Sequence, residues 1–353
     1  MRAVIVGGGI GGLAAAIGLR RVGFETVVLE RAQRLESVGA GLTLAANAVR
    51  AIERLGIADE VRRMAARGRE LLVGTSAGHP LLRSDLDAFE TLGVHRADLQ
   101  RVLLEHAGDV RLGEEVSDVR AVEADLIVGA DGINSAVRAH LHGTAPPLDA
   151  GYTGWRAVAD FDDERIGDRF TETWGCGVRI GLIPVGGGRV YWFVSASGDS
   201  QHATDFERRL ARWHEPIPDV IAATPRSALS ATPILWRKPL RAWGRGNITL
   251  LGDAAHPMTP DLGQGAGQAL EDAVVLAARV RDAHDVPAGL RAYERERIAR
   301  TTPIVRRSRQ AGRLASASRP VTCALRNRIV ATMPARAQER QQRAILDYDL
   351  PKL

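Results

Sequence analysis

The order of apolar and polar positions at the start of the chain predicts alternating strands and helices. Ala3–Val6 is a short apolar, β-branched run, Gly12–Val22 has helical spacing, and Glu25–Glu30 reads as a second strand. A strand–helix–strand unit of about thirty residues is the smallest nucleotide-binding module. The same periodicity predicts further helices at Ala48–Leu55, Ala58–Ala65 and Arg96–His106.

The pattern changes in the middle of the chain and then returns. Ala124–Ala130 is a continuous apolar run, typical of a strand buried on both faces. All six tryptophans lie between Gly151 and Trp243, among short alternating segments such as Gly188–Ser195, which predict an antiparallel sheet with one exposed face. Another buried strand follows at Asn247–Leu251, then a turn rich in Gly and Pro and a helix from about Gly265 to Asp282, and the chain is predicted to be helical to about Gln342.

These elements predict two domains, one of them discontinuous. We expect a nucleotide-binding domain with C-terminal helices over residues 1–70, 95–148 and 245–353. A β-sheet domain that binds the substrate is expected over residues 71–94 and 149–244.

Composition limits the cellular setting of the chain and the kinds of site that it can carry. The 353 residues are 45% hydrophobic and 25% charged, as in ordinary globular proteins, and no apolar run is long enough to span a bilayer. Cys176 and Cys323 lie far apart and form no CxxC pair, so we expect two separate thiols in a reducing, cytoplasmic setting, with no disulfide and no metal site.

Positive charge is concentrated near the C-terminus. Fourteen arginines and only three acids lie between Arg291 and Arg343, whereas the net charge of the whole chain is +5. A basic stripe can bind nucleic acid or anionic lipid. Because the chain contains only two lysines and no nucleic-acid-binding motif, a solvated helical surface covered with Arg is favoured, and no nucleic-acid partner is expected. Docking to a partner or an anionic surface stays open as an accessory role.

A glycine-rich turn supplies the first chemical motif. Gly7, Gly9 and Gly12 form GxGxxG directly after a strand and at the start of a helix, where backbone N–H groups can approach a pyrophosphate. Glu30 ends the second strand and can accept hydrogen bonds from ribose hydroxyls while repelling a 2′-phosphate. By themselves, the GxGxxG turn and Glu30 indicate that the chain binds NAD or FAD.

Two later motifs separate these options. Asp131 lies in ADGxxSxxR, directly after the apolar strand. Asp253 lies in LGDAAHP at the end of another strand, where its carboxylate can accept bonds from a polyol chain. The turn that follows presents N–H groups at a helix N-terminus from Gly265 onward, and these donors could hold the flavin pyrimidine.

With these three motifs in this order, the chain resembles the single-component (group A) FAD-dependent monooxygenases related to para-hydroxybenzoate hydroxylase, over nearly its whole length. The resemblance implies a Rossmann-type FAD-binding domain of the GR2 class with an inserted substrate sheet. It implies non-covalent FAD as cofactor and NADH or NADPH as reductant. It also implies O2 as co-substrate and hydroxylation of an aromatic or heteroaromatic ring through a flavin C4a-hydroperoxide.

The resemblance also implies roles for individual positions. Glu30 looks like the adenosine-ribose ligand, with Arg31 beside it. The segment Gly39–Leu42, which includes Gly41, looks like the loop that passes the flavin. Arg96 and Gln100 look like the pair on the pyrophosphate side. Asp131 is similar to the residue implicated in pyrophosphate and nicotinamide binding, and Asp253 to the ribityl ligand. At the far end of the flavin the implied residues are Pro260, Gly263, Gly265, Ala266 and Gly267.

On the substrate side, Arg179 and Tyr191 together with Asp261 resemble the urate hydroxylases of the same family. There an Arg and Tyr pair helps to activate an acidic heterocycle, and an Arg beside a Tyr could lower the pKa of the phenol. The alternative is structural, with an Arg on an exposed sheet face and a Tyr packed among aromatic neighbours. Arg156, in YTGWRAV, is a weaker candidate for substrate contact.

Several alternatives stay open at this stage. Within the monooxygenases, a urate-type hydroxylase and a ring epoxidase are both possible. The rivals are a flavin reductase or dehydrogenase without oxygen transfer, and a non-catalytic flavin-binding chaperone. The stretch from Glu105 to Glu123 is short for this family and leaves the pocket depth open, and the chain is expected to be a monomer or a homodimer.

Overall fold

The structure, a computed structural model, describes residues 1–35, 40–197 and 203–353. The described strands are β1 (Arg2–Val6), β2 (Glu25–Glu30), β3 (Gly41–Leu44), β4 (Ala66–Gly68), β5 (Glu70–Thr75), β6 (Pro80–Asp85), β7 (Thr91–His95), β8 (Asp109–Leu112), β9 (Leu126–Gly129), β10 (Leu148–Asp160), β11 (Arg169–Trp174), β12 (Val178–Pro184), β13 (Arg189–Ala196), β14 (Ser230–Trp236) and β15 (Ile248–Leu250). The described helices are α1 (Ile10–Arg21), α2 (Ala46–Leu55), α3 (Ala58–Met64), α4 (Arg96–Ala107), α5 (Ala136–His142), α6 (Ala203–Leu210), α7 (Ile217–Ala222), α8 (Gly265–Asp282), α9 (Val286–Ala315), α10 (Pro320–Ala331) and α11 (Ala335–Leu346).

A five-stranded parallel sheet forms the first layer, in the order β15-β9-β1-β2-β8. Its apolar residues are buried on both faces, as the continuous β-branched runs predict, and α1 packs against α8 beside it. The chain runs outward from β1 in two directions, first to β2 and later to β9. Such a reversal of strand order opens a crevice at the carboxyl ends of the strands, where ligands bind in this class of fold.

A seven-stranded sheet forms the second layer, in the order β14-β10-β13-β12-β11-β5-β6. Side chains alternate between its two faces. Ile180, Leu182 and Trp192 point to the face that packs against Phe206 on α6 and Val220 on α7. The opposite face carries Arg156, Arg179, Tyr191 and Phe193, as their strand registers require.

The predicted fold class, a Rossmann-type FAD-binding domain with an inserted β-sheet and C-terminal helices, is confirmed. The helix expected from Gly265 to Asp282 has those bounds, and helices continue to Leu346. Strands of the seven-stranded sheet come from residues 70–85 and 148–236, whereas β7 pairs with β3 and β4 in a small third sheet. The stretch from Glu105 to Glu123 contains one strand, β8. The domain boundaries stay a prediction.

The expectation of two separate thiols is wrong. Cys176 and Cys323 form a disulfide, with their Cα atoms 5.8 Å apart. Their 147-residue separation in sequence concealed the pair, because the turn between β11 and β12 meets α10 only through tertiary packing. Arg326 on α10 donates to the Gly175 carbonyl of that turn at 3.0 Å.

Among the described helices, none combines the length and the apolar character that crossing a membrane requires.

Candidate functional site

The glycine-rich turn lies at the carboxyl end of β1 and leads into α1. Gly9 is the N-cap of α1, and its carbonyl accepts from Leu13 N at 3.0 Å. A Cβ at Gly12 would collide with the carbonyl oxygen of Gly7, so only glycine permits this close approach. A Cβ at Gly9 would meet open space. The turn is therefore tightly closed on its inner side and open where a pyrophosphate would sit.

Glu30 and Gln100 fix the far side of the same turn. The Glu30 carboxylate accepts from Gly8 N at 2.6 Å and from Ala32 N at 2.9 Å, and exposed Arg31 follows it. Gln100, on α4, donates to the Gly8 carbonyl at 3.3 Å. The sequence-predicted adenosine and pyrophosphate residues thus surround one turn.

Arg96 and Asp253 line a cleft at the carboxyl ends of the parallel strands. Both side chains are accessible, yet protein surrounds them on the remaining sides, and this desolvation lowers the pKa of Arg96 and raises the pKa of Asp253. Arg156 lowers the pKa of Arg96 further. Within the described residues Arg96 forms no salt bridge, although a desolvated guanidinium favours an anion beside it.

Asp131 has a structural contact that the sequence did not predict. Its Oδ2 accepts from Ala136 N at 2.7 Å and from Val137 N at 3.3 Å, at the start of α5. Burial raises the pKa of this carboxyl, and Oδ1 is buried without a hydrogen-bond partner in the described part of the chain. One oxygen therefore stabilises the helix and the other is left for a further donor.

The turn from Gly263 to Gly267 runs into the N-terminus of α8. Gly263 has φ +62°, a left-handed conformation that favours glycine, and a Cβ at Gly263 or Gly265 would meet open space. Ala266 is half-buried, and Gly267 packs beside Asn47. The N–H groups at this helix end can donate to a carbonyl or stabilise negative charge.

Behind this helix N-terminus lies a fully buried polar cluster that sequence reasoning missed. Arg297, on α9, donates to Glu271 at 2.5 Å and to Asp272 at 2.6 Å, and all three side chains have no exposed surface. Glu271 also accepts from Asn47 at 2.5 Å, and Asn47 donates in turn to Gln264, the N-cap of α8, at 3.0 Å. The adjacent acids in GAGQALEDA, on an otherwise apolar helix, were the available signal.

Asp272 ties this cluster to the LGDAAHP turn. Its Oδ2 accepts from Gly252 N at 2.9 Å and from His256 Nε2 at 2.6 Å. Gly252 and His256 flank Asp253, which lines the cleft. The paired charges of His256 and Arg297 outweigh burial and lower the pKa of Asp272 to about 2. The cluster therefore holds the Asp253 turn and the α8 N-terminus together.

A second cluster lies on the seven-stranded sheet and centres on Asp261. Arg179, on β12, donates to both Asp261 and Glu172, the latter at 2.6 Å. Tyr152, on β10, donates from its hydroxyl to Asp261 Oδ2 at 2.7 Å. The Asp261 side chain is fully buried, and Pro260 beside it is exposed. Tyr152 begins the YTGWRAV segment, in which Arg156 was the residue expected to contact the substrate. Glu172 was not singled out from the sequence, because a polar residue on an alternating strand resembles an ordinary exposed face.

Tyr191 is not paired with Arg179. Both side chains lie on the same sheet face, but Arg179 is opposite Ser195 and Tyr191 is opposite Ile183, and the Phe193 ring stands between them. Burial raises the pKa of Tyr191, whereas Arg156 and Arg96 lower it. The arginines that lower the pKa of the Tyr191 phenol are therefore Arg156 and Arg96, and not Arg179 as expected.

Gly41, on β3, lies directly against Tyr191, since a Cβ at this position would overlap the base of the tyrosine ring. The loop that passes the flavin was predicted over Gly39–Leu42, and Gly39 lies outside the described residues. Gly41 thus joins the small third sheet to the substrate face.

Comparison with known proteins agrees with this arrangement. A family model described as "FAD binding domain" matches residues 1–117 and 108–308. The chain is 37% identical over 376 residues to the aurachin C monooxygenase/isomerase of Stigmatella aurantiaca, with 98% of this chain and 97% of that protein covered. It is 33% identical over 347 residues to an FAD-dependent urate hydroxylase of Klebsiella pneumoniae, with 88% and 89% covered.

Solved structures show the same fold. Klebsiella pneumoniae HpxO complexed with FAD and uric acid superimposes with a TM-score of 0.88 at 29% identity, covering 98% of this chain and 96% of that one. The open glycine turn, the desolvated Arg96 and the carboxyl group of Asp253 fit a dinucleotide with a polyol chain, and FAD is the cofactor of this fold family. The chain therefore belongs to the family of FAD-dependent monooxygenases that carry this FAD-binding domain.

Proposed function

We propose that this monooxygenase hydroxylates or epoxidises an electron-rich N-heterocycle with an ionisable ring N–H or O–H group, rather than a benzoate. The observation that supports this most directly is the charge balance around Arg179. Both terminal nitrogens of its guanidinium donate to carboxylates, Asp261 and Glu172. An Arg that is already paired twice is a poor anchor for a substrate carboxylate, because binding would require one buried carboxylate to lose its partner.

The cofactor is held, in this proposal, by residues of the parallel-sheet domain. Glu30 with Arg31 receives the adenosine ribose, and the turn from Gly7 through Gly9 to Gly12, with Arg96 and Gln100, receives the pyrophosphate. Farther along the flavin, the proposed contacts are Gly41, Asp131, Asp253, Gly263, Gly265, Ala266 and Gly267. Bound FAD supplies the redox chemistry, taking reducing equivalents from NADH or NADPH and delivering one atom of O2 to the ring.

The chain's own residues orient the substrate and handle its proton. Tyr152 and Arg179 hold Asp261 in one position beside Pro260, at the junction of the flavin turn and the substrate sheet. Because burial raises the pKa of Tyr191, its phenol stays protonated at neutral pH and can donate to a ring oxygen. Arg156 and Arg96 lie close enough to Tyr191 to stabilise negative charge that develops on that oxygen.

The relatives include both classes of substrate. One that is named for urate, an N-heterocycle, is 33% identical. Relatives named for 3-amino-4-hydroxybenzoate and 3-hydroxybenzoate are 35% and 32% identical, so a benzoate is the competing class. Arg179, Asp261, Tyr191 and Pro260 are the residues proposed to touch or position the substrate.

The test is a panel of hydroxylated N-heterocycles and of benzoates, scored for NADH or NADPH oxidation under air and for a product with one added oxygen. We expect the heterocycles to stimulate oxidation and to yield the oxygenated product. Tyr191→Phe should lower kcat by roughly 10²-fold, since it removes one proton donor. Arg169→Gln, on β11 of the same sheet, serves as the control and should behave as wild type.

Other outcomes separate the rivals. Stimulation by benzoates alone would overturn the proposed substrate class. Reductant consumption without an oxygenated product would indicate a reductase, and the absence of turnover with FAD bound would indicate a flavin-binding chaperone. Light scattering of the purified protein distinguishes a monomer from a homodimer.

A further inference from the structure

Helix α10 presents an apolar stripe directly to solvent. Val321, Leu325 and Ile329 are 80%, 58% and 48% exposed, and they are spaced four residues apart on one helix face. Leu314, near the end of α9, is 43% exposed. These four are a majority of the seven large apolar side chains that are exposed in the described part of the chain. A soluble surface seldom concentrates them in this way.

The stripe does not lie on the face by which α10 packs against the rest of the protein. The opposite face of α10 is fully used, with Cys323, Arg326 and Val330 buried. Cys323 forms the disulfide with Cys176. Arg326 donates to the Ala315 carbonyl at 3.0 Å and lies 5.0 Å over the Trp174 ring. The helix is therefore fixed by its inner face, and its apolar outer face is displayed on a rigid support.

The charge around the stripe is positive throughout. The segment from Arg297 to Gln338 contains ten arginines and no acid. Six of these arginines are exposed and, in the parts of the chain that the structure describes, form no salt bridge: Arg306, Arg307, Arg313, Arg319, Arg328 and Arg336. Arg328 lies on the same face of α10 as the stripe.

We propose that α10, with Leu314 and the surrounding arginines, is a docking surface for an anionic lipid bilayer. A basic helix with a narrow apolar face lies in the plane of the interface, where the apolar side chains enter the acyl boundary and the arginines meet lipid phosphates. A nucleic acid would satisfy the arginines but leave Val321, Leu325 and Ile329 without apolar partners.

A second copy of this chain fits the surface less well. Two copies related by a two-fold axis would bring Arg328 and its neighbours against the same arginines, with no acid in the segment to separate them. Three side chains on one helix also fall short of the roughly 800 Å² per partner that a stable interface buries.

Docking here would set the position of the substrate sheet. The disulfide and Arg326 join α10 to the turn between β11 and β12, and β12 carries Arg179. The sheet that carries Arg179 would thus be held near the membrane surface.

The experiment is flotation of the full-length, FAD-loaded protein with vesicles of phosphatidylcholine, with and without phosphatidylglycerol. We expect binding only to the anionic vesicles, and a loss of binding at high salt. Leu325→Gln with Ile329→Gln should reduce the partition coefficient roughly tenfold. Arg328→Gln should reduce it roughly fivefold.

Two matched controls keep the result specific. Leu112→Gln alters an exposed apolar residue on β8, and Arg63→Gln an exposed arginine on α3, and both should bind vesicles as wild type does. FAD content and activity in solution should be unchanged in all variants. Absence of flotation with anionic vesicles, equal flotation with phosphatidylcholine alone, or equal binding by the double variant would each overturn the proposal. A wild-type dimer that the double variant converts to a monomer would instead identify a contact between two chains.

Discussion

At the scale of single residues, the position of Asp261 is set by three separate elements. Tyr152 on β10 and Arg179 on β12 donate to its carboxylate, and Gly312 on α9 packs against the same oxygens. Asp261 itself follows the exposed Pro260, just before the turn that leads into α8. The carboxylate thus links the seven-stranded sheet, the start of this turn and the C-terminal helices at one point.

Gly312→Ala tests this arrangement without altering any polar group. A Cβ at this position would overlap the Asp261 carboxylate, and the carboxylate can give way only by leaving Tyr152 or Arg179. We expect kcat to fall at least tenfold because misplaced catalytic groups lose their alignment, while the flavin content stays the same. Steady-state kinetics and the flavin-to-protein absorbance ratio measure the two effects.

Ala311→Ser, at the preceding position of α9, is the matched control and should retain full activity. A Gly312→Ala enzyme with wild-type kcat would show that the Asp261 position is not critical. Loss of FAD together with activity would show that the change acts on the cofactor site or on folding.

The sequence predicted some of these residues and not others, for definite physical reasons. Asp261 lies within a recognisable turn motif, so its position followed from neighbouring glycines. The partners of Arg179 depend on strand register, and the register of two strands cannot be read from either strand alone. For that reason the sequence paired Arg179 with Tyr191, whereas the structure pairs it with Glu172 and Asp261.

At the scale of elements, α8 carries two adjacent acids into the interior. Glu271 and Asp272 are fully buried and are neutralised by Arg297 on α9. A buried carboxylate that loses its partner leaves an uncompensated charge, and breaking such a pair costs on the order of 3–5 kcal/mol. Helix α8, whose N-terminus is proposed to face the flavin, therefore depends on a helix that follows it in sequence.

Asp272→Asn should lower the free energy of unfolding by on the order of 3–5 kcal/mol at neutral pH, since Arg297 and His256 lose their charged partner. The folded-state pKa of Asp272 is lowered to about 2 from the ordinary 3.8. Its contribution is therefore fully present above pH 3.8 and is lost as the pH falls toward 2. Urea unfolding at several pH values should show the difference between variant and wild type shrinking across that range.

Asp282→Asn is the control on the same helix. Asp282 is about half exposed and pairs with its neighbour Arg281, so its loss should change the unfolding free energy by less than about 1 kcal/mol. If the difference in unfolding free energy between the wild type and Asp272→Asn stays constant from neutral pH to pH 2, the charge of Asp272 does not have the assigned role.

At the scale of the whole molecule, the sequence predicted the layers better than the contacts between them. Local periodicity gave the strands of the parallel sheet and α8, because each depends on burial within a short segment. Contacts between distant segments carry no local pattern, and the Cys176–Cys323 disulfide is the clearest case. The cytoplasmic setting was inferred from unpaired cysteines, and it stays a prediction. Because the cysteines form this bond, that prediction needs a test.

The disulfide closes a segment of 147 residues and ties the substrate sheet to the C-terminal helices. A cross-link of that span contributes typically about 2–4 kcal/mol to stability, chiefly by restricting the unfolded chain.

We therefore expect dithiothreitol to lower the Tm of the wild type and to speed tryptic cleavage after exposed arginines of α10, such as Arg328. FAD should remain bound, since the disulfide joins the turn between β11 and β12 to α10, and none of these elements belongs to the parallel sheet at whose strand ends the cleft lies. Cys176→Ser provides the control, because it should already show the lower Tm and should not respond to dithiothreitol. If the wild type has the same Tm and the same cleavage rate with and without reductant, the bond does not stabilise the contact between α10 and the sheet.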